Sequence, residues 1–372
     1  MIAEPTLQGG NDVARILIAG GGTGGHLMPA LALARAAKEA GHEPVLVGAV
    51  RGIEAQILPS HPFRYYLLPF EPIYRRTWWR NLRWPLTLWR VWRAAVRMLD
   101  VERPVLAIGT GGYAAGPALW FAGRRGIPIV LQESDAYPGL TTRMLSRKAR
   151  QVHLGFPEAR ARLRLGPKTE VFALGNPITP PASADRGAAL KAFGLDPARP
   201  TVFVFGGSQG ARALNEALAG AVGTGTLTTM NVLWGTGAAQ YERYAALARA
   251  GSVCVRGFFD PIAPAYAAAD LVVSRAGAMT VAELCAWGKP SVLIPLPNAA
   301  ADHQKFNARA LEEAGAAVLL LEEKLSPESL AGVVTSLVAD PKRLASLADV
   351  ARSRGHPDAA RGIMSKILTL VS

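Results

Sequence analysis

Short apolar runs alternate with longer helical stretches along most of the chain, and this alternation strongly constrains the fold. The apolar runs are RILI, PVLVGA, VLAIGTGGY, IPIVLQES, TVFVFGGSQG, NVLWGTG, SVCVRGF, DLVVSRAG and PSVLIPLP. Each run has the composition of a buried strand, and the stretch that follows the first run has helical length before it stops at Gly41. Alternation of this kind predicts parallel sheets with crossover helices, which is an α/β fold.

The pattern starts a second time near residue 200. The Pro-rich segment GNPITPPASADRG precedes a new apolar strand and another glycine-rich junction, and 372 residues exceed one ordinary domain. The sequence therefore predicts two Rossmann-like doubly wound domains separated by a cleft. The predicted boundaries are a flexible N-terminal tail at 1–14, a first domain at 15–177, a linker at 178–199, a second domain at 200–355, and a C-terminal helix at 356–372 that packs back on the first domain.

Four glycine-rich junctions lie where a predicted strand meets a predicted helix. They are AGGGTGGH (19–26), GTGGYAAGP (109–117), GGSQGAR (206–212) and SRAGAMTVAEL (274–284). Glycine lets a ligand approach the backbone closely, and a helix N-terminus offers unpaired N–H groups to an anion. Because ligands of doubly wound sheets bind at the carboxyl ends of the strands, we expect a cleft that holds phosphates and hydroxyl-rich groups from both sides.

One alternative rests on the first junction alone. Gly20, Gly22 and Gly25 match the G-x-G-x-x-G pattern, and Arg51 could serve as a 2′-phosphate partner in an NADP-dependent oxidoreductase. A dinucleotide would not need the three other junctions, which argues against this alternative.

The formal net charge of +13 indicates an anionic partner. The stretch from Arg64 to Arg103, with both ends included, contains nine arginines, and the segment 74–97 contains five of the eight tryptophans. Interleaved Trp and Arg are typical of a surface at a lipid headgroup boundary, so we expect this segment to contact an anionic membrane surface. The alternative for this segment is a core helix with a basic solvated face. A non-catalytic membrane scaffold that uses the segment is an alternative for the whole protein, but it leaves the polar residues of the second-domain cleft unexplained. Single-stranded nucleic acid could use the same chemistry, but no nucleic-acid motif accompanies it, and we expect no nucleic-acid partner.

The cysteines and the N-terminus favour a cytoplasmic protein. Cys254 and Cys285 lie in a predicted core strand and a predicted core helix, which suits a reducing compartment. The first residues do not show a basic n-region followed by an apolar h-region, so we expect no secretory leader, and no uncharged run reaches the roughly 18 to 20 residues of a membrane span. Neither a metal-ligand spacing nor a DxD carboxylate pair stands out.

Taken together, the motifs resemble one family. GGGTGGHLMPALALA, GTGGYAAGP, QESDAYPGLTTR, GNPI, FGGSQGAR, GFFDPIAPAYAAADLVVSRAGAMTVAEL and ADHQKFNARALEEAGAA occur in the order typical of glycosyltransferase family 28, in the bacterial N-acetylglucosaminyltransferases of peptidoglycan synthesis. The resemblance runs from about residue 15 to residue 320.

The resemblance implies a GT-B enzyme at the cytoplasmic face of the cell membrane. Such an enzyme moves N-acetylglucosamine from UDP-GlcNAc to the 4-hydroxyl of the muramic acid of lipid I, with inversion, and gives lipid II. The implied partners are UDP-GlcNAc in the second domain and the undecaprenyl-diphosphate-linked acceptor in the first. No cofactor is implied: we expect at most stimulation by a divalent cation without a dedicated site. A related GT-B transferase with another lipid acceptor is the alternative, which GGTGGH and GGY disfavour.

The resemblance also implies donor-binding residues in the second domain. Ser208 and Gln209 match the phosphate-side loop, Phe259 lies where main-chain groups bind uracil, and Glu283 matches the ribose-binding glutamate. The remaining donor-side positions are Ala278, Met279 and Thr280 in the turn before that glutamate, and Gln304, which reaches the GlcNAc hydroxyls.

On the acceptor side, His26 is the principal candidate. A neutral imidazole can remove the proton of an attacking hydroxyl near pH 7, but a contact to the acceptor diphosphate and a purely structural role stay open. Tyr113 and Asp135 are the other catalytic candidates. The substrate-binding candidates of the first loop are Thr23, Gly24 and Gly25.

Two positions depart from the family pattern. Asp135 replaces a common Asn, so a carboxylate stands where the family has an amide, and this makes Asp135 a second candidate base. Thr179 replaces a common Arg that contacts phosphate. Arg186 and Arg212 are the residues that could substitute for that arginine.

Overall fold

The computed structural model describes residues 13–70, 84–207, 210–297 and 299–371. Within these residues the chain forms two parallel sheets, one in each half of the sequence. The predicted fold class, two doubly wound α/β domains, is therefore confirmed.

The N-terminal sheet has seven strands in the order β3-β2-β1-β4-β5-β6-β7. They are β1 (Arg15–Ala19), β2 (Glu43–Ala49), β3 (Arg64–Leu68), β4 (Leu106–Gly109), β5 (Ile129–Glu133), β6 (Gln151–Leu154) and β7 (Glu170–Phe172). The helices of this half are α1 (Gly24–Glu39), α2 (Glu54–Ile57), α3 (Trp84–Glu102), α4 (Gly112–Arg124) and α5 (Leu140–Leu145). Short 3-10 helices cover Leu58–Ser60 and Pro157–Arg162.

The C-terminal sheet has six strands in the order β10-β9-β8-β11-β12-β13. They are β8 (Thr201–Phe205), β9 (Asn231–Gly235), β10 (Val253–Arg256), β11 (Leu271–Ser274), β12 (Ser291–Leu293) and β13 (Val318–Leu319).

Nine α-helices occur among the described residues of the C-terminal half. They are α6 (Arg186–Phe193), α7 (Arg212–Gly223), α8 (Tyr241–Tyr244), α9 (Ala263–Ala268), α10 (Ala278–Ala286), α11 (His303–Glu313), α12 (Pro327–Val338), α13 (Pro341–Ser353) and α14 (Ala359–Leu368). Short 3-10 helices cover Ala238–Gln240, Ala245–Leu247, Ala300–Asp302 and Glu322–Lys324.

Both sheets reverse their strand order beside their first strand. β1 pairs with β2 on one side and β4 on the other, and β8 likewise pairs with β9 and β11. The loops that leave these central strands at their carboxyl ends diverge to opposite faces of the sheet and open a crevice between them. All four glycine-rich junctions of the sequence lie at such carboxyl ends.

The last helix returns to the first domain. Ile363, Met364 and Ile367 of α14 are buried in one cluster with Leu27 and Leu31 of α1. Gln151 of β6 strengthens this attachment, because its side-chain amide donates to the carbonyl of Lys366, 3.1 Å away. The C-terminus therefore ties the second half of the chain to the first sheet.

Four strands were not anticipated from the sequence: β3, β6, β7 and β13. Three of them are edge strands, and β13 has only two residues, so their apolar patterns are short. β6 buries the polar residues Gln151 and His153, which interrupt its hydrophobic run.

No helix among the described residues is long and apolar enough to cross a membrane. Cys254 lies in β10 and Cys285 in α10, and neither forms a disulfide.

Candidate active site

The first glycine loop leads from β1 into α1. Gly22 has a φ of 90°, and a Cβ atom built on it would lie 2.6 Å from Cε1 of Tyr113, so only glycine fits there. Thr23 is the N-cap residue of α1. The backbone N–H groups of Thr23, Gly24 and Gly25 therefore lie at the helix N-terminus, where no earlier turn of the helix can accept from them.

The His26 ring is held by the loop after β4. Its Nδ1 atom lies 3.2 Å from the carbonyl oxygen of Thr110, and the Thr110 hydroxyl donates to the His26 carbonyl at 2.7 Å. A carbonyl oxygen only accepts, so this contact places the proton of the neutral ring on Nδ1. Nε2 then carries the lone pair that a general base needs.

The surroundings of His26 keep the ring neutral near pH 7. Burial lowers the pKa of His26 below its ordinary 6.5, although the Asp135 carboxylate and the Thr110 carbonyl oppose this effect. His303 of α11 lies close enough to add a further lowering of the His26 pKa. The structure therefore brings His26 and Asp135 of the first domain next to the start of α11 in the second.

Asp135 belongs to a loop built around a buried carboxyl group. Glu133 accepts hydrogen bonds from the N–H groups of Asp135 (3.1 Å) and Gly139 (3.0 Å). Burial, together with repulsion from Asp135, raises the pKa of Glu133 to about 7. Glu133 was not identified from the sequence, where it looks like the polar end of a strand.

Asn307 of α11 joins the two domains at this loop. Its Nδ2 atom donates to Oδ1 of Asp135 (2.8 Å) and to the carbonyl of Ala276 (3.1 Å), while its Oδ1 accepts from the N–H of Ala136 (2.8 Å). Asn307 is fully buried, so these bonds are shielded from water. The sequence offers no signal for this residue beyond its place in the ADHQKFN motif.

Stacked side chains extend the domain contact. The rings of Tyr137 and Phe306 stack with centroids 4.8 Å apart, and the Arg162 guanidinium lies 5.1 Å and 4.9 Å from these two ring centroids. One ring comes from each domain. The cleft is thus held closed on one side by a polar bridge and a cation–π stack.

On the second domain, α10 begins at the carboxyl end of β11. Ala278, Met279 and Thr280 form its first turn, and Glu283 follows one turn later. The hydroxyl of Tyr266 donates to Oε2 of Glu283 at 3.0 Å, and burial raises the pKa of Glu283. The expected ribose-binding carboxylate is therefore fixed in position by a buried tyrosine.

Gln304 lies at the start of α11, and its side-chain carbonyl accepts from the N–H of Leu296 at 2.9 Å. Arg275, which directly follows β11, holds the same loop through the carbonyls of Ile294 (3.2 Å) and Pro295 (3.3 Å). Its guanidinium is buried and also pairs with Glu322. Arg275 was not identified from the sequence.

Other predicted residues have different surroundings. The Phe259 ring is buried in the core and packs edge-on against Phe203 and Phe193, so this side chain has a packing role of its own. Ser208 and Gln209 lie outside the described residues.

No group of His, Cys, Asp and Glu that could hold a metal ion occurs in the part of the chain that is described.

The suggestion that Arg186 replaces the missing phosphate-contacting arginine is wrong. Arg186 pairs with Asp270 at 2.7 Å, and Asp270 also accepts from the N–H of Thr201 at the start of β8. This is the amino end of the strand, at the opposite end of the sheet from the cleft. Arg212 begins α7 at the cleft end of β8, where its exposed side chain pairs with Glu216 at 2.9 Å.

Two Rossmann-like domains that face each other across a cleft define the GT-B class of glycosyltransferase fold. Solved GT-B structures share it, among them the calicheamicin glycosyltransferase CalG4, with a TM-score of 0.67 at 17% identity over 97% of this chain and 100% of that one. The crystal structure of Acinetobacter baumannii MurG matches with a TM-score of 0.79 at 29% identity, covering 96% of this chain and 99% of that one.

Sequence comparison gives the family. Residues 16–154 match the glycosyltransferase family 28 N-terminal domain, and residues 201–363 match the family 28 C-terminal domain. Curated relatives from Chlorobaculum tepidum (39% identical, 96% of this chain, 99% of the relative) and Chlorobium luteolum (41%, 95% and 98%) are named UDP-N-acetylglucosamine--N-acetylmuramyl-(pentapeptide) pyrophosphoryl-undecaprenol N-acetylglucosamine transferase. The chain belongs to glycosyltransferase family 28.

The polar bridge between the domains can be tested by exchanging its partners. Asn307→Asp sets a second carboxylate against Asp135 and loses the donor to Ala276, so we expect a lower midpoint of thermal unfolding. Adding Asp135→Asn restores an amide–carboxylate pair and should recover part of the loss. Calorimetry of both single variants and the double variant measures this recovery. If the effects of the two single substitutions on stability simply add in the double variant, a direct contact between the two side chains is contradicted.

Proposed function

We propose that this protein transfers N-acetylglucosamine from UDP-GlcNAc to the 4-hydroxyl of the muramic acid in lipid I. In this reaction the acceptor oxygen bonds to the anomeric carbon, the bond from that carbon to the UDP oxygen breaks, and UDP leaves with the electron pair. The observation that carries the proposal is the position of His26 at the junction of the two domains. The chain also matches relatives that are named for this reaction, over nearly their full length.

In this proposal the donor lies on the second domain. The Glu283 carboxylate accepts from the ribose hydroxyls, the N-terminus of α10 at Ala278, Met279 and Thr280 faces the diphosphate, and Gln304 contacts the sugar. A helix N-terminus offers N–H groups and partial positive charge to phosphate oxygens. The positive end of α10 and nearby basic side chains then stabilise the leaving UDP, and we propose no metal cofactor.

The acceptor lies on the first domain. Its diphosphate binds at the N–H groups of Thr23, Gly24 and Gly25 at the N-terminus of α1, and Tyr113 lies beside this loop. His26 then takes the proton of the attacking hydroxyl on Nε2, because its Nδ1 faces the Thr110 carbonyl. Asp135 raises the His26 pKa, which helps the ring to hold the proton that it receives.

We further propose that the protein docks on the cytoplasmic face of the membrane through an apolar surface beside α3. Trp89 and Trp92 of α3 are 49% and 48% exposed, and Trp120 and Met144 are exposed on α4 and α5. Trp92, Trp120 and Met144 line a groove of about 790 Å³ between these helices. Residues 71–83, with the tryptophans and arginines of that part of the 74–97 segment, lie outside the described residues.

Turnover of UDP-[14C]GlcNAc with a short-chain lipid I analogue tests the reaction. The proposal predicts labelled lipid II analogue that depends on both substrates. Transfer from a different UDP-sugar only, or to a different lipid acceptor only, would refute it.

The ribose contact predicts a donor-specific defect. Glu283→Ala should raise the donor KM about 10-fold or more, because losing a hydrogen bond to a charged group costs about 1.5–3 kcal/mol. The acceptor KM should change little. Glu313→Ala, at the exposed end of α11, is the matched control. An unaltered donor KM for Glu283→Ala would remove this residue from the site.

The pH dependence of kcat tests His26 as the base. Since the base must be unprotonated and its pKa is lowered, kcat should rise with pH along an acid limb centred below pH 6.5. Asp135→Asn removes an anion that stabilises the charged ring, so this limb should move to still lower pH. The exposed control Asp349→Asn should leave it in place. A limb that survives in His26→Ala would assign the base elsewhere.

Vesicle sedimentation tests the docking surface. Arg90, Arg93 and Arg97 lie exposed on α3, and each basic group near an anionic membrane contributes about 1 kcal/mol. Changing all three to Ser should reduce sedimentation with anionic vesicles at low salt, while activity on a soluble acceptor analogue remains. Changing Lys324, Lys342 and Arg343 to Ser removes the same charge from the second domain and should leave sedimentation intact. If both triple variants lost sedimentation equally, binding would depend on net charge alone, which would contradict docking through α3.

A further inference from the structure

A buried carboxylate lies directly beneath the first glycine loop. Glu54, the first residue of α2, has no solvent-exposed surface. Both of its carboxylate oxygens lie 3.0 Å from the backbone nitrogen of Gly22, and Oε1 also accepts from the N–H of Ala49 at 2.9 Å. The Glu54 carboxylate therefore binds an N–H of the same glycine loop that the sequence pattern indicates for an external anion.

Three glycines make room for this carboxylate. A Cβ atom on Gly21 would lie 2.0 Å from Oε1 of Glu54, one on Gly48 would lie 2.2 Å from its Cγ, and one on Gly52 would lie 2.3 Å from its Oε2. Real Cβ contacts do not approach so closely, so a side chain at any of the three would displace Glu54. The absence of a side chain at Gly21, Gly48 and Gly52 is therefore explained by the space that Glu54 occupies, without a substrate.

The contact also divides the loop into two parts. The N–H of Gly22 is already bonded to Glu54, and Gly22 is held in its left-handed conformation against the Tyr113 ring. The following N–H groups of Thr23, Gly24 and Gly25 lie at the start of α1, one turn or less before His26. Any movement of Gly22 would therefore shift both these amides and the His26 ring.

We infer that Glu54 is a positioning residue for the acceptor: its carboxylate fixes Gly22, so that the acceptor diphosphate binds only at the Thr23–Gly25 amides, in register with His26. This inference deepens the proposed function and rests on it for the identity of the acceptor. Glu54 does not touch the substrate itself, and the donor site on the second domain is independent of it.

Kinetics of Glu54→Gln test this role. The substitution keeps the shape, but an NH₂ group replaces one of the two oxygens that accept from the Gly22 N–H, so one donor faces another and only one acceptor remains. We expect the KM for a short-chain lipid I analogue to rise about 10-fold or more, since a charged hydrogen bond is lost. The Kd of UDP, measured by calorimetry, should stay within two-fold. The matched control, Glu39→Gln at the exposed end of α1, should change neither value.

A defect that appears equally in the UDP Kd and the acceptor KM would mean general loss of structure and would overturn a positioning role. An unchanged acceptor KM would overturn it as well.

Amide hydrogen exchange in the unaltered protein gives a second test that does not depend on a variant folding. The Gly22 amide should be protected without any ligand, and the Thr23, Gly24 and Gly25 amides should gain protection only when the lipid I analogue is added. Rapid exchange of Gly22 in the free protein would refute the resident carboxylate even if transfer activity is present. Protection of Gly22 with no transfer activity would instead leave Glu54 in place and refute the proposed reaction.

Discussion

The hydrogen bonds of the Asn307 side chain hold the two halves of the candidate site together. Each sheet supplies glycine-rich loops at the carboxyl ends of its central strands, but these loops form one site only if the two edges face each other. Asn307 joins Asp135 and Ala136 of the first domain to Ala276 of the second, in a place that water does not reach. An unpaired buried amide costs about 1–3 kcal/mol. Separating the domains here would break several hydrogen bonds at once and leave their polar groups without protein partners. The Tyr137, Arg162 and Phe306 stack opposes the same separation.

Charge in the cleft is arranged by burial as well as by pairing. Burial keeps the His26 ring neutral, and it raises the pKa values of Glu133 and Glu283. The anionic substrates proposed for this site would then meet helix N-termini and N–H groups. Glu54 fits the same arrangement, because its carboxylate is enclosed by backbone N–H groups beneath the loop and does not line the cleft.

The fold could be predicted from the sequence because hydrophobic strands and glycine junctions are local signals. The same signals did not predict β6, which contains buried polar residues, or β13, which has only two residues. Such strands form because of their neighbours in the sheet and not because of a local hydrophobic pattern. The motifs located the loops that carry His26, Glu283 and Gln304. They could not reveal Glu54 or Asn307, because a buried glutamate in RGIEAQ and an exposed one look alike until the chain is folded. For Arg186 the sequence suggested a site role that the structure does not support. Arg186 is near the GNPIT motif in sequence, yet it lies at the far end of the second sheet, paired with Asp270.

The proposed role of His26 requires a neutral imidazole ring with its proton on Nδ1. Histidine ring NMR of selectively labelled protein measures this directly, with His26→Gln to assign the signal among the six histidines. At pH 7 we expect a neutral ring protonated on Nδ1, held by the Thr110 carbonyl, with Nε2 unprotonated. A ring protonated on Nε2, or one that carries charge at pH 7, would contradict it.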